Sequence, residues 1–218
     1  MTHTPKQPSA PQMAVRTATI LFFFVVIFTA LLSGVNIWTK PALEASAAEE
    51  KMKLINEVLP GSAYDNDLLN DTVTIQASSL LGLDEVSTVY RARKNGQSSA
   101  LVLEAVAPDG YAGKIRLLLA INVNGTLAGV RVTQHKETPG LGDYIEPKKD
   151  KNKQRPWITQ FNDQSPLSMS SREWKVKKDG GYFDANAGAT VTPRAVIKAV
   201  RKAAQYVAEN HEQLLATP

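Results

Sequence analysis

Two apolar, β-branched runs lie close together in Ile115-Arg-Leu-Leu-Leu-Ala-Ile-Asn-Val-Asn-Gly-Thr-Leu-Ala-Gly-Val-Arg-Val-Thr133. Ile115–Val123 and Gly129–Thr133 read as strands, and Asn124-Gly125 between them is a strong hairpin signal, because both residues tolerate the positive φ that tight hairpin turns require. Further runs with strand character occur upstream at Asp71–Ile75, Glu85–Ala92 and Ala100–Val106. Together they predict an antiparallel sheet.

Helical periodicity brackets these runs. Leu43–Leu59 predicts an amphipathic helix with Leu43, Ala47, Leu54, Ile55 and Val58 on one side, starting after Pro41 and stopped by Pro60-Gly61. Pro193–Leu215 predicts a second, with Val196, Val200, Ala203 and Val207 at i, i+4, i+7 and i+11. Thr192-Pro193 reads as its start, Thr as N-cap and Pro in the first turn. Between sheet and helix, His135–Ser171 has little periodicity and reads as loop, pinned by a short helical turn at Trp157–Phe161. One α+β domain accounts for the chain from residue 40 onward.

From Thr17 to Thr39 there are 23 residues without a charge, centred on Ile20–Phe28. At ~1.5 Å rise per residue they can cross a hydrocarbon core of ~30 Å. Trp38 and Lys40 stand where interfacial anchors belong. A signal peptide is the rival reading, since Ala45-Ser-Ala47 resembles a cleavage site. The apolar run, however, exceeds the ~7–15 residues of a signal h-region and ends well before that triplet. Charge does not set the orientation: Lys6 and Arg16 precede the run, and Lys40, Lys51 and Lys53 follow it.

The 218 residues include 25 Lys+Arg, 21 Asp+Glu, 3 His and no Cys. Lack of Cys excludes disulfides, thiol relays, cysteine-held iron–sulfur clusters and Cys-containing zinc sites. The His residues, at 3, 135 and 211, are too scattered for a local metal site, and none is predicted. Residues 146–202 hold 13 bases and 6 acids, which suits either an anionic partner or a solvated loop over Lys148–Arg155.

Two polar constellations carry the chemistry. In His135-Lys-Glu-Thr-Pro-Gly-Leu-Gly-Asp143 a strand runs into a loop whose Gly140 and Gly142 permit close backbone approach to a planar ligand, with Glu137 as acceptor and Thr138 as hydroxyl. An ordinary turn is the competing reading. In Asp184-Ala-Asn-Ala-Gly-Ala-Thr190-Val-Thr192-Pro193 small residues lead into a helix N-terminus, where free N–H groups and the macrodipole favour an anion. Arg194 and Lys198 add positive charge there. A plain capped helix start competes with this reading. His135 reads as a loop residue, and no acid–base pair or nucleophilic triad is present.

The second segment resembles the flavinylation motif Asp-x-x-(Ser/Thr)-Gly-Ala-Thr of the FMN-binding domain family. With the Glu-Thr-Pro-Gly-Leu-Gly stretch and the single span, residues 15–210 are similar to the family of G subunits of Rnf (also called Rsx) ion-translocating electron-transport complexes. That resemblance implies FMN joined by its phosphate to the hydroxyl of Thr190, with Asp184, Gly188 and Ala189 in the segment recognised by a flavin transferase. It places Glu137, Thr138 and Leu141 near the isoalloxazine ring, Gly140 and Gly142 shaping the loop, and Thr192 beside the cofactor as helix cap. Ala187 stands where the family usually has Ser or Thr, which removes one hydroxyl but leaves the acceptor.

The same resemblance implies a cytoplasmic tail at 1–16, a transmembrane helix at 17–39 and a periplasmic FMN-binding domain at 40–218, in the bacterial inner membrane. The chain would be an electron-transfer component of a multi-subunit translocase without a complete catalytic site of its own. It would pass electrons between ferredoxin and NAD in a reaction coupled to ion movement, or, as Rsx, keep a redox-sensing regulator reduced. Its partners would be the other membrane and iron–sulfur subunits, the transferase and the bilayer, with no nucleic acid. The C subunit of the sodium-translocating NADH:quinone reductase and a non-redox anchored docking protein are the alternatives.

Overall fold

The computed structural model describes residues 9–216. The chain divides into two compact units, one ending at Glu50 and one beginning at Lys51. The first consists of the greater part of helix α1, Ala10–Val58, which is 49 residues long. It contains a stretch long and apolar enough to cross a membrane, none of which is buried. Phe22, Phe23, Leu31 and Leu32 are all well exposed, so this segment is not a core helix of a globular domain. Residues 1–8 of the expected tail lie outside the described residues, and residues 10–16 are already helical.

One expectation is corrected here. The anchor and the helix at Leu43–Leu59 are not separate elements divided at Pro41, since α1 runs through that proline. Pro41 removes a single helical N–H, at a cost of ~3 kcal/mol in a helix interior. Ala, Leu, Glu, Lys and Met dominate residues 42–54, and these strong helix formers carry the helix on past it.

The second unit is built on a five-stranded antiparallel meander in the order β1-β2-β3-β4-β5. The strands are β1 (Thr72–Ile75), β2 (Ser87–Lys94), β3 (Gln97–Gly110), β4 (Gly113–Asn122) and β5 (Leu127–Gln134). Every strand expected from sequence is present. The β4–β5 hairpin turns at Asn122–Gly125, closed by Gly125 N–H donating to the Asn122 carbonyl, so Val123 belongs to the turn rather than to the strand. Gly125, at φ +83°, supplies the left-handed residue that this turn needs.

Side chains of β3 and β4 alternate between two cores. Leu101, Leu103, Ile115, Leu117, Leu119 and Ile121 face one, together with helix α2 (Val191–Glu209). Val102, Leu118 and Ala120 face the other, with Ile55, Val58 and Leu59 from the end of α1 and just beyond it. The uninterrupted apolar run in β4 follows from this, because both faces of the strand are covered. A Cβ at Gly129 would lie 2.5 Å from the Val58 carbonyl oxygen, so only glycine lets β5 pass the helix end.

The aperiodic stretch after β5 is held by aromatic packing. Tyr144 meets Trp157 (5.7 Å between centroids), Trp157 meets Phe161 (5.4 Å), Phe161 meets Phe183 (4.8 Å) and Phe183 meets Trp174 (4.7 Å). Trp157–Phe161 forms the expected helical turn, of 3₁₀ type. The last expected helix is divided: α2 stops at Glu209 and a short α3 (His211–Leu215) follows. The break falls at Asn210, which leaves helical backbone angles (φ −113°, ψ 16°) and whose side-chain amide and backbone N–H both donate to the Tyr206 carbonyl, at 2.8 and 3.1 Å.

Candidate functional site

Three segments far apart in sequence meet at the start of α2: the β3–β4 turn, the loop after β5, and residues 184–192. Glu137 joins them. Its side chain is buried, Oε1 accepting from the Ala112 N–H at 3.0 Å and Oε2 accepting from the Thr192 hydroxyl. Glycines flank the carboxylate, and a Cβ would stand 2.9 Å from Oε1 at Gly110 and 2.8 Å from Oε2 at Gly142. The Glu137 N–H donates to His135 Nδ1 at 3.0 Å, which places His135 in the loop framework as the sequence suggests. Both oxygens of Glu137 are thus occupied in bracing these segments together.

Beside this brace lies a cavity of about 120 Å³ lined by Glu137, Thr138, Leu141, Gly142, Gly188, Ala189 and Thr192, with Tyr111 and Val191. The first seven are among the residues singled out in the sequence. Tyr111 and Val191 are not, although an aromatic between Gly110 and Gly113 at a strand turn is a usable signal. Tyr111, Leu141 and Val191 are exposed and form an apolar rim. Gly140 does not line the cavity. At φ +75° it shapes the turn that begins at Thr138, and its N–H donates to Asp143 Oδ1 at 2.8 Å.

The two threonines of the second segment differ sharply. Thr192 is corrected as the N-cap: Thr190 occupies that position with αR backbone angles, and its carbonyl already accepts from the Arg194 N–H. Thr192 lies in the first turn of α2, buried, its hydroxyl engaged by Glu137. Thr190, half-buried, makes no side-chain capping bond. Its Oγ1 accepts from Arg194 Nη1 at 3.2 Å, and among the described residues its own proton has no acceptor.

Arg194 is fixed by a fork onto Asp179, at 2.7 Å from Nε and 2.6 Å from Nη2. These hydrogen bonds hold the Asp179 carboxyl below its ordinary range and push the Arg194 guanidinium up. Lys198 pairs with Asp109 at 2.7 Å.

Residues 184–189 are anchored through their backbone. The Tyr144 hydroxyl donates to the Ala189 carbonyl (3.1 Å) and accepts from the Asn186 N–H (3.3 Å). Burial, with a smaller contribution from the Asp150 charge, pushes this phenol up to about 12. Trp157 Nε1 donates to the Asp184 carbonyl at 2.6 Å, and Gln160 Oε1 accepts from the Asp184 N–H at 2.9 Å. Asp184 does not line the cavity, and its side chain is paired with Lys177 at 2.6 Å. The side chains of Asp184, Asn186 and Ala187 are thus left exposed on a rigid segment, with Gly188 in left-handed backbone at φ +80°.

Two family models match the chain, the RnfG N-terminal region over residues 1–58 and the FMN-binding domain over residues 110–205. Proteins named as the G subunit of an ion-translocating oxidoreductase complex are similar along most of its length. The one from Pseudomonas aeruginosa is 45% identical over 201 residues, 92% of each chain. Those from Photorhabdus laumondii and Shewanella loihica are 42% and 39% identical, over 89% and 94% of this chain and 90% and 94% of theirs. The chain belongs to the RnfG family.

The region matched by the FMN-binding domain runs from Gly110 to Gln205 and contains the brace, the cavity and the start of α2. The residues present fit a flavin mononucleotide. A small cavity with an apolar rim, lined by Gly142 and Gly188 among others, offers a surface to the edge of a ring, and the helix start with Arg194 and Lys198 offers positive charge to a phosphate. The cavity is far smaller than the ~300–1,000 Å³ of pockets that enclose a ligand.

Proposed function

We propose that this chain is the membrane-anchored flavoprotein component of an ion-translocating oxidoreductase complex and that its FMN is carried as a phosphoester on Thr190. The observation that supports this most is the state of the two hydroxyls: Thr192 is buried and consumed by Glu137, whereas Thr190 is accessible and not used in capping. Glu137, Gly140 and Gly142 keep the loop in shape. Thr138, Leu141, Gly188 and Ala189 give the ring its surface, and Thr192 holds Glu137. Arg194 keeps the Thr190 oxygen oriented and places a cation where a phosphodiester charge would lie.

FMN, when bound, accepts and returns electrons, and the protein sets its position and potential. A covalent tether suits a shallow site, since it removes dissociation without requiring a deep pocket. The exposed, backbone-anchored segment from Asp184 to Ala189 is the recognition surface for a flavin transferase. The apolar part of α1, spanning 17–39, is the inner-membrane anchor, with 1–16 on the cytoplasmic side and the FMN-binding domain from residue 40 in the periplasm. Membrane and iron–sulfur subunits supply the route between ferredoxin and NAD. Identities of 36–45% to the G subunits of ion-translocating oxidoreductase complexes favour this reading over the C subunit of the sodium-translocating NADH:quinone reductase.

The test is the mass of the Thr190-containing peptide from cells that express the transferase. The peptide is expected to gain FMN less one water. Thr190→Val should give a band without flavin fluorescence after denaturation, while Thr192→Val should stay fluorescent. Label on Thr192, or a dark wild-type band, would overturn the assignment.

A further inference from the structure

A larger concavity, about 480 Å³ and lined in part by Arg194, lies between α2 and the segment 171–179. Its floor is apolar, formed by Trp174, Val176 and Ile197, all buried. Its rim carries five cations, Lys175, Arg194, Lys198, Arg201 and Lys202, against one carboxylate, Asp179. Asp179 is taken up by Arg194, and Lys198 by Asp109 outside the concavity. Among the described residues Lys175, Arg201 and Lys202 form no ion pair, and the two lysines are exposed.

Five cations against one carboxylate leave the rim with an excess of positive charge around an apolar floor, and Lys175, Arg201 and Lys202 are the three that no ion pair among the described residues engages. The arrangement complements an acidic segment that also presents an apolar side chain, since protein interfaces combine an apolar centre with a charged rim. Arg194 lines this concavity and also donates to Thr190 Oγ1, so an occupant would sit next to the proposed flavin attachment point. Electron transfer requires that proximity.

We infer that the concavity between α2 and residues 171–179 is the docking site for an acidic, partly apolar segment of another subunit of the complex, seated against Lys175, Arg201 and Lys202 and positioned beside the flavin. The adjacency to flavin rests on the Thr190 reading, whereas the docking itself does not.

Zero-length carbodiimide coupling of the assembled complex in native membranes tests this directly, because it joins lysines only to carboxylates already in contact. Peptides linking Lys175 or Lys202 to an Asp or Glu of another subunit are expected, and they should disappear in Lys175→Glu/Lys202→Glu. The same variant should slow NADH-driven reduction of the flavin by roughly 3- to 10-fold and flatten its dependence on ionic strength. Flavin fluorescence of its denatured band should be unchanged. Links from these lysines confined to this chain, or an unaltered rate and salt dependence, would overturn the docking site. A dark wild-type band would instead remove the Thr190 reading, with the cross-links still deciding the docking.

Discussion

A Cβ placed at position 142 stands 2.7 Å from the Thr192 hydroxyl oxygen and 2.8 Å from Glu137 Oε2, so Gly142→Ala pushes apart the two groups that tie the loop to α2. The backbone at Gly142, φ −95° and ψ −15°, suits any residue, and the penalty is purely steric. A loss of about 1–3 kcal/mol is expected in urea denaturation. Gly188 presents the opposite case, with open space around it but φ +80°, where the cost of a side chain is conformational. Tyr144→Phe removes both hydrogen bonds that hold residues 186 and 189. Because the folded phenol is pushed up to about 12 from 10.0, its contribution is complete below pH 10 and is lost as pH rises toward 12. Urea midpoints between pH 8 and 12 should therefore fall more steeply for the wild type than for Tyr144→Phe.

Among the elements, the β1–β2 edge depends on one carboxylate. Asp71 accepts from Arg91 Nε at 2.5 Å and from Arg93 Nε at 2.6 Å, and Arg91 also donates to the Ala216 carbonyl. Burial by itself would raise the Asp71 pKa, but the hydrogen bonds and charges of Arg93 and Arg91 outweigh it and hold the group low. Asp71→Asn leaves two largely buried guanidinium groups without their anion and should cost about 3 kcal/mol at neutral pH by urea denaturation. The depressed carboxyl contributes fully above the ordinary Asp range, and the contribution is lost as pH falls through the lowered folded value. The difference between wild type and Asp71→Asn should accordingly shrink in acid.

The same scale shows where local signals were sufficient. All five strands and the amphipathic face of α2 were legible, because alternation and 3.6-residue periodicity are local consequences of which face is covered. Pro41 was a misleading stop signal because it removes only a single helical hydrogen bond, and the break of the last helix at Asn210 was not anticipated. Whether the helix continues past that point depends on everything around it, and α1 continues whereas α2 stops.

At the scale of the whole molecule, the helical anchor and the α+β domain are separate units, and the proposed function needs the second on the periplasmic side. A C-terminal alkaline phosphatase fusion should be active in intact cells and a C-terminal fusion of ordinary green fluorescent protein exported through the Sec pathway should be dark. The reverse pattern would overturn the topology. The basic excess over 146–202 also resolves at this scale. Lys177, Arg194 and Lys198 are paired with acids, while Lys175, Arg201 and Lys202 collect around one concavity. Linear counting shows the excess but not its convergence.

The chain's order of residues by itself determined the long apolar helix, the hairpin-led antiparallel sheet, the helix after residue 190 and the two loops that bear the candidate residues. Each of these is a matter of neighbours within a few positions: rise per residue, side-chain alternation, turn-forming glycines. Which residues of those loops share a cavity was decided only by the tertiary structure, which admits Thr138, Leu141 and Gly188, adds Tyr111 and leaves Gly140 and Asp184 outside. It also decided which threonine keeps its hydroxyl available. Thr192 spends its own on Glu137, 55 positions away, and no local pattern encodes a contact that forms only when the sheet brings the loop after β5 against the first turn of α2.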